Sequence, residues 1–139
     1  MSFRDERVVA AVVASGQGRS QAGLRDGSWN GLVVPMLNIT GTRDGGATTA
    51  DPRWKREPFE LSPPGQKYQV VIEGADHGLG GVSGESARFP GNAAHLGVVE
   101  AVTSAFWDAH LGGDEGALSW LSTDGPTTTF GGAAEYARR

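Results

Sequence analysis

Three apolar runs in the first half of the chain each predict a buried β-strand. The run Val8 to Ala14 is continuously apolar and rich in β-branched residues, which is typical of a strand covered on both faces. The other two extend from Val33 to Thr40 and from Tyr68 to Ile72. Strands of this kind, joined by loops and short helices, predict an α/β fold with about three parallel strands in an open sheet.

Helical signals lie between and after these strands. Asp51 to Leu61 predicts a short helix with Asp51 as its N-cap. Asn92 begins the longest predicted helix, a long C-terminal helix with one broad apolar face that reaches about Leu111. Asp114 can cap one further short helix.

The end of the chain has a different composition. From Thr123 it is polar and rich in glycine and threonine, so we expect a frayed tail. We therefore predict one domain over residues 1–122 and a polar tail over residues 123–139.

Composition narrows the classes of function. The chain has 139 residues, no cysteine and a net charge of -4, so thiol catalysis and thiolate metal sites are excluded. Lysine and arginine do not cluster, which argues against a nucleic-acid or anionic-membrane partner. No run approaches the roughly 20 apolar residues of a membrane span, and residues 1–7 lack the apolar core of a signal peptide. We expect a soluble chain, and its compartment stays open.

Two of the predicted strands end at residues suited to acid–base chemistry. Asp44 follows the second strand, and His77 follows the third within Gly74-Ala75-Asp76-His77-Gly78. Because neighbouring parallel strands end at the same edge of a sheet, this acid and histidine can hydrogen-bond, as in a general base whose tautomer a carboxylate fixes. The sequence therefore predicts Asp44 and His77 as a catalytic pair.

Other polar residues have simpler interpretations. Asp76 adjoins His77, and we expect it to make a loop or cap hydrogen bond. His95 and His110 lie 15 positions apart, without the i, i+4 spacing of a helical metal site, and are interpreted as surface or partly buried helix residues. A metal-dependent hydrolase built on Asp44, Asp76 and His77 would need ligands that the sequence does not offer, and we expect no cofactor.

A nucleophile is harder to find. The serine elbow G-x-S-x-G does not occur, and Gly18-Arg19-Ser20-Gln21-Ala22 only approximates it. Ser15 ends the first apolar run without a preceding glycine. We interpret Ser15 and Ser20 as ordinary loop hydroxyls.

Several segments resemble the C-terminal half of α/β-hydrolases. They are Val34 to Asp44 (Val-Pro-Met-Leu-Asn-Ile-Thr-Gly-Thr-Arg-Asp), Lys67-Tyr68 leading into Gly74-Ala75-Asp76-His77, and Ala105 to Leu111 (Ala-Phe-Trp-Asp-Ala-His-Leu). The similarity is to the dienelactone-hydrolase-like and polyester- or chlorophyll-ester-hydrolase-like branches. It covers roughly residues 7–122 in the family's order of elements.

The resemblance implies a Ser-His-Asp triad that hydrolyses carboxylic esters through an acyl-enzyme, with Asp44 as the acid and His77 as the base. In the family, the first five strands, the serine elbow and the oxyanion-hole loop would precede Val8, and only seven residues do. We therefore expect this chain to be the acid/base half of a serine ester hydrolase, inactive alone. The alternative is a non-catalytic α/β binding or assembly module.

The resemblance also bears on partners. A small-molecule ester would be the substrate if an N-terminal half completes the enzyme, and its identity cannot be read from this chain. The family places Val8 to Ala14 as a sixth strand, which needs a neighbour on each side. Left bare, this apolar edge predicts a homodimer or aggregates.

Overall fold

The computed structural model describes residues 5–21, 23–45, 51–82, 84, 86 and 88–139. Within them, four β-strands form one mixed sheet in the order β1-β2-β3-β4. The strands are β1 (Ala11–Ala14), β2 (Met36–Gly41), β3 (Lys67–Ile72) and β4 (Ala134–Arg138). The first three are parallel, and β4 is antiparallel to β3. The predicted α/β class and the three parallel strands are confirmed.

In the described part of the chain, four α-helices accompany the sheet. They are α1 (Glu57–Glu60), α2 (Ala93–Trp107), α3 (Glu115–Ser122) and α4 (Gly125–Phe130). A 3-10 helix (Pro52–Arg56) leads into α1, a π-helical turn (Asp108–Gly112) extends α2, and a short 3-10 helix (Gly131–Ala133) precedes β4. The long helix predicted from Asn92 to Leu111 is thus α-helical over its first 15 residues only.

The predicted caps are confirmed. The side chain of Asn92 accepts hydrogen bonds from the N–H groups of Ala94 and His95, and Asp114 accepts one from Ala117. Asp51 accepts from the N–H of Arg53 and caps the 3-10 helix. Each cap satisfies an N–H group that the first helical turn leaves unpaired.

Both central strands are buried along their whole length, as predicted. On one face, side chains of β2 and β3 pack with α2 and α3 in a single core, which includes Leu37, Ile39, Val70, Val102 and Phe106. On the opposite face lies the 3-10 helix before α1: the amide of Asn38 donates to the carbonyl of Lys55 at 3.0 Å and to Gln69 Oε1 at 3.1 Å.

Strand β1 is shorter than the predicted run from Val8 to Ala14 and lies at the edge of the sheet. Its ladder with β2 begins where the N–H of Ala11 donates to the carbonyl of Pro35. Proline has no N–H to continue the ladder towards Val8. Val8 and Val9 therefore precede the strand and are 49% and 61% exposed.

The expectation of a frayed tail over residues 123–139 is wrong. This segment forms α4 and β4, and β4 pairs with β3 from Tyr68 opposite Arg138 to Ile72 opposite Ala134. The polar composition of this segment gave no indication of a strand, although its inward side chains, Ala134 and Tyr136, pack in the core. The free edge of β3, rather than local propensity, selects this conformation.

Candidate active site

Two turns meet at the carboxyl ends of β2 and β3. The N–H of Gly74 donates to Thr42 Oγ1 at 2.8 Å, and the N–H of Arg43 donates to the carbonyl of Ala75 at 3.0 Å. Gly41 permits this approach, because a Cβ at that position would collide with the Ala75 carbonyl. The two turns therefore form one hydrogen-bonded unit.

This unit brings the two predicted catalytic residues together. Asp44 Oδ1 lies 3.0 Å from Nδ1 of His77. Asp44 is fully buried, whereas 41% of the His77 side chain is exposed. A buried carboxylate that accepts the Nδ1–H of a histidine fixes the ring orientation and its tautomer.

Other polar groups also surround Asp44. Thr40 Oγ1 donates to Asp44 Oδ2 at 2.9 Å, and Lys55 Nζ lies 4.0 Å from Oδ1. The same Nζ donates to the carbonyl of Ser15 at 2.8 Å and lies 4.5 Å from the centroid of the Trp54 ring. Burial lowers the pKa of Lys55 below its ordinary value, and the Asp44 carboxylate opposes that shift. Asp44 thus has a buried cation as well as a histidine beside it.

Ser15 contacts His77 in an unexpected way. Its Oγ lies 2.7 Å from Nδ1, the same ring nitrogen that faces Asp44. A triad needs its serine on Nε2, because Nδ1 already carries the proton donated to the carboxylate. Ser15 in this position cannot pass its proton to the ring while Asp44 holds Nδ1–H, so the geometry does not make Ser15 a nucleophile. Its φ of 52° lies in the left-handed region, where the strand ends.

The other edge of the imidazole is open to a further group. Among the described residues, none makes a hydrogen bond to His77 Nε2. The ring of Phe89 lies 5.7 Å from the His77 ring, centroid to centroid, and borders the site on the loop after β3. A group that gives a proton to Nε2 would therefore lie close to the Phe89 ring.

The remaining predicted residues lie where the sequence suggested. Asp76 Oδ1 accepts the N–H of Gly78 at 2.9 Å in its own turn, as expected of a loop hydrogen bond. Ser20 is an exposed loop residue, and His95 is partly buried on α2. His110 lies in the π-helical turn, where burial lowers its pKa and its Nε2 is 3.2 Å from the hydroxyl of Tyr68. Across the described part of the chain, no group of three or more His, Asp or Glu residues is arranged to hold a metal ion.

Sequence reasoning missed Lys55 and Thr40, and it assigned Ser15 to an ordinary loop. Thr40 lies on the strand that ends before Asp44. Its position four residues before that acid could have indicated a hydrogen bond between the two side chains. Lys55 belongs to a Trp-Lys-Arg segment whose charges suggest exposure to solvent. No feature of the sequence pattern predicts that this lysine is buried. Ser15 reaches His77 only because β1 pairs with β2 in parallel register.

Comparison with protein-family models, curated proteins and solved structures finds no match to this chain. In the described ranges, no helix has both the length and the apolar character that crossing a membrane requires.

Proposed function

We propose that this chain is the acid/base half of a serine carboxylic-ester hydrolase. The observation that carries the proposal is the 3.0 Å pair of Asp44 Oδ1 and His77 Nδ1, with the carboxylate buried and the imidazole half exposed. This is the arrangement that a general base needs: one nitrogen held by an acid, the other accessible.

The reaction would use a serine from a polypeptide segment outside these 139 residues. His77 Nε2 takes the proton of the serine hydroxyl as the oxygen attacks the ester carbonyl, and Asp44 stabilises the imidazolium that forms. The imidazolium then gives its proton to the departing alcohol, which leaves an acyl-enzyme. Water then attacks the acyl carbonyl. His77 Nε2 takes a proton from this water and gives it to the serine oxygen as the acyl bond breaks, which releases the carboxylic acid and the free serine.

The substrate class follows from the same assignment. A small-molecule ester would approach the exposed face of His77, where Phe89 offers an apolar contact to the acyl or alcohol group. Arg88 lies over the Phe89 ring, 5.1 Å from its centroid, in a cation–π contact that helps to hold this ring. The oxyanion hole, like the serine, is assigned to the partner segment.

The experiment begins with the coding sequence upstream of Met1. We expect an in-frame G-x-S-x-G preceded by an apolar strand, and the extended protein should hydrolyse p-nitrophenyl esters. Asp44→Asn and His77→Gln should each lower kcat on the order of 10³- to 10⁴-fold. Asp76→Asn is the matched control: this neighbouring acid bonds its own turn, so kcat should fall less than about tenfold.

The opposite outcome would favour the non-catalytic module. No serine elbow upstream, together with ester hydrolysis that is unchanged in Asp44→Asn and His77→Gln, would contradict the hydrolase proposal. The exposed edge of β1 would then be the surface through which the module binds or assembles.

A further inference from the structure

Lys55 places a buried cation beside the acid–base pair. Its side chain is 1% exposed, and lysine is rarely buried to this degree unless it is paired. Nζ is held by the carbonyl of Ser15 at 2.8 Å and lies 4.0 Å from Asp44 Oδ1. The same carboxylate oxygen therefore faces an ammonium group and the Nδ1 of His77.

Charge balance explains why both cationic partners matter. Asp44 is fully buried, and an ionised carboxylate in that position is costly without a counter charge. Among the described residues, Lys55 and His77 are the basic side chains within ion-pair distance of Asp44. A second cation beside the same carboxylate makes the charged form of the His77 ring less favourable than it would be with Asp44 as its sole charged neighbour. A general base must be neutral when it accepts a proton.

We propose that Lys55 is a positioning residue of this site, which supplies a counter charge to Asp44 and thereby favours the neutral form of His77, with its proton on Nδ1 and Nε2 ready to accept one. The inference rests on the proposed function, since it assigns His77 the role of base. Lys55 does not touch the reacting atoms. It acts through the carboxylate and through its hydrogen bond to the end of β1.

Groups on the other elements around His77 do not replace this charge. Ser15, directly after β1, contributes a neutral hydroxyl. Asp76, in the same turn as His77, bonds the N–H of Gly78. Arg88 is engaged with the Phe89 ring, and it makes no ion pair with Asp44 among the described contacts.

The test measures the protonation of the His77 ring by ¹⁵N NMR at pH 7 in the chain alone. Lys55→Gln removes the charge but keeps a donor for the Ser15 carbonyl, and Lys55→Met removes both. In each, the ratio of doubly protonated to neutral ring should rise roughly three- to tenfold, as expected for losing a unit charge several Å away. Lys55→Arg keeps the charge and should stay within about twofold of the parent.

A double variant guards against misfolding. Lys55→Met with Asp44→Asn leaves no buried charge unpaired and should fold even where the single variants do not. Because Asp44 contacts His77 directly and Lys55 does not, the loss of the anion should outweigh the loss of the cation, so the ratio in the double variant should not exceed that of the parent. A ratio that rises in the double variant as it does in Lys55→Met, or folded Lys55→Gln and Lys55→Met proteins with the parent ratio, would overturn the inference.

Asp44→Asn alone separates this inference from the proposed function. Removing the anion should lower the doubly protonated fraction of His77. If it does and the Lys55 variants have no effect, Lys55 is not a positioning residue and the acid–base pair stands. If Asp44→Asn leaves the ring unchanged, the pair itself is not coupled and the proposed function fails with it.

Discussion

At the scale of single residues, the shared ring nitrogen decides what Ser15 can do. Nδ1 of His77 faces both Asp44 Oδ1 at 3.0 Å and Ser15 Oγ at 2.7 Å. A carboxylate is the stronger acceptor of an imidazole N–H, since charge-assisted hydrogen bonds are about twice as strong as neutral ones. Nδ1–H therefore points to Asp44, and Ser15 is left without a base.

This geometry predicts that the chain alone does not react with a serine-directed fluorophosphonate probe. Neither Ser15 nor Ser20 has a base placed to remove its proton, so labelling at pH 7.5 should not exceed that of the unfolded chain. Intact-mass spectrometry with an active serine hydrolase in the same tube checks the result. Stoichiometric labelling that disappears in Ser15→Ala and persists in Ser20→Ala would contradict it.

The acid–base pair was predictable at this scale, whereas its surroundings were not. Asp44 and His77 each follow an apolar run, and parallel strands bring their carboxyl ends to one edge whatever else the chain does. Lys55 comes from a 3-10 helix that is hydrogen-bonded through its Lys55 carbonyl to Asn38, a polar residue inside a buried strand. Such a contact depends on tertiary packing, which periodicity does not encode.

At the scale of elements, local signals predicted α1, α2, α3 and the central strands but neither α4 nor β4. Asn92 and Asp114 are capping residues with a chemical reason to begin a helix, and β2 and β3 are apolar runs of strand length. Residues 134–138, Ala-Glu-Tyr-Ala-Arg, carry only a weak alternation after a glycine-rich stretch. Pairing with β3, rather than propensity, gives that segment its strand conformation.

The contact between the turns that carry Asp44 and His77 predicts a specific cost for Gly41→Ala. Its Cβ would meet the carbonyl and Cβ of Ala75, which are part of the turn that carries His77. Because backbone rather than a flexible side chain must move, we expect a loss of about 1–3 kcal/mol in the free energy of unfolding. Urea denaturation followed by circular dichroism measures it.

Gly132→Ala is the matched control for this variant. A Cβ at Gly132 has no atom within 4 Å among those described, so the free energy of unfolding should change by less than about 0.5 kcal/mol. The folded Gly41→Ala protein should also lose the hydrogen-bonded Nδ1–H resonance of His77, since the two turns separate. Equal stability of Gly41→Ala and the parent would show that the turns need not touch.

At the scale of the whole molecule, the two edges of the sheet differ in how they are protected. Strand β4 carries charged residues: Glu135 pairs with Arg56 at 2.9 Å and Arg138 with Asp124 at 3.3 Å. Strand β1, Ala-Val-Val-Ala, carries none, and exposed Val8 and Val9 continue its apolar character. Charged edge residues discourage pairing between sheets, and an apolar edge invites it.

We therefore propose that two copies of the chain associate through β1, and sedimentation velocity should show a dimer or larger species growing with concentration. In parallel pairing with β2, alternate backbone groups of β1 face away from the sheet and can bond a second strand. Val8→Lys with Val9→Lys should weaken this association at least tenfold, because two added charges per copy would repel across the edge. Leu111→Lys, which changes a 59% exposed residue away from β1, is the control and should leave association unchanged. A monomer whose sedimentation coefficient is independent of concentration up to the millimolar range would mean that this edge is protected without a partner.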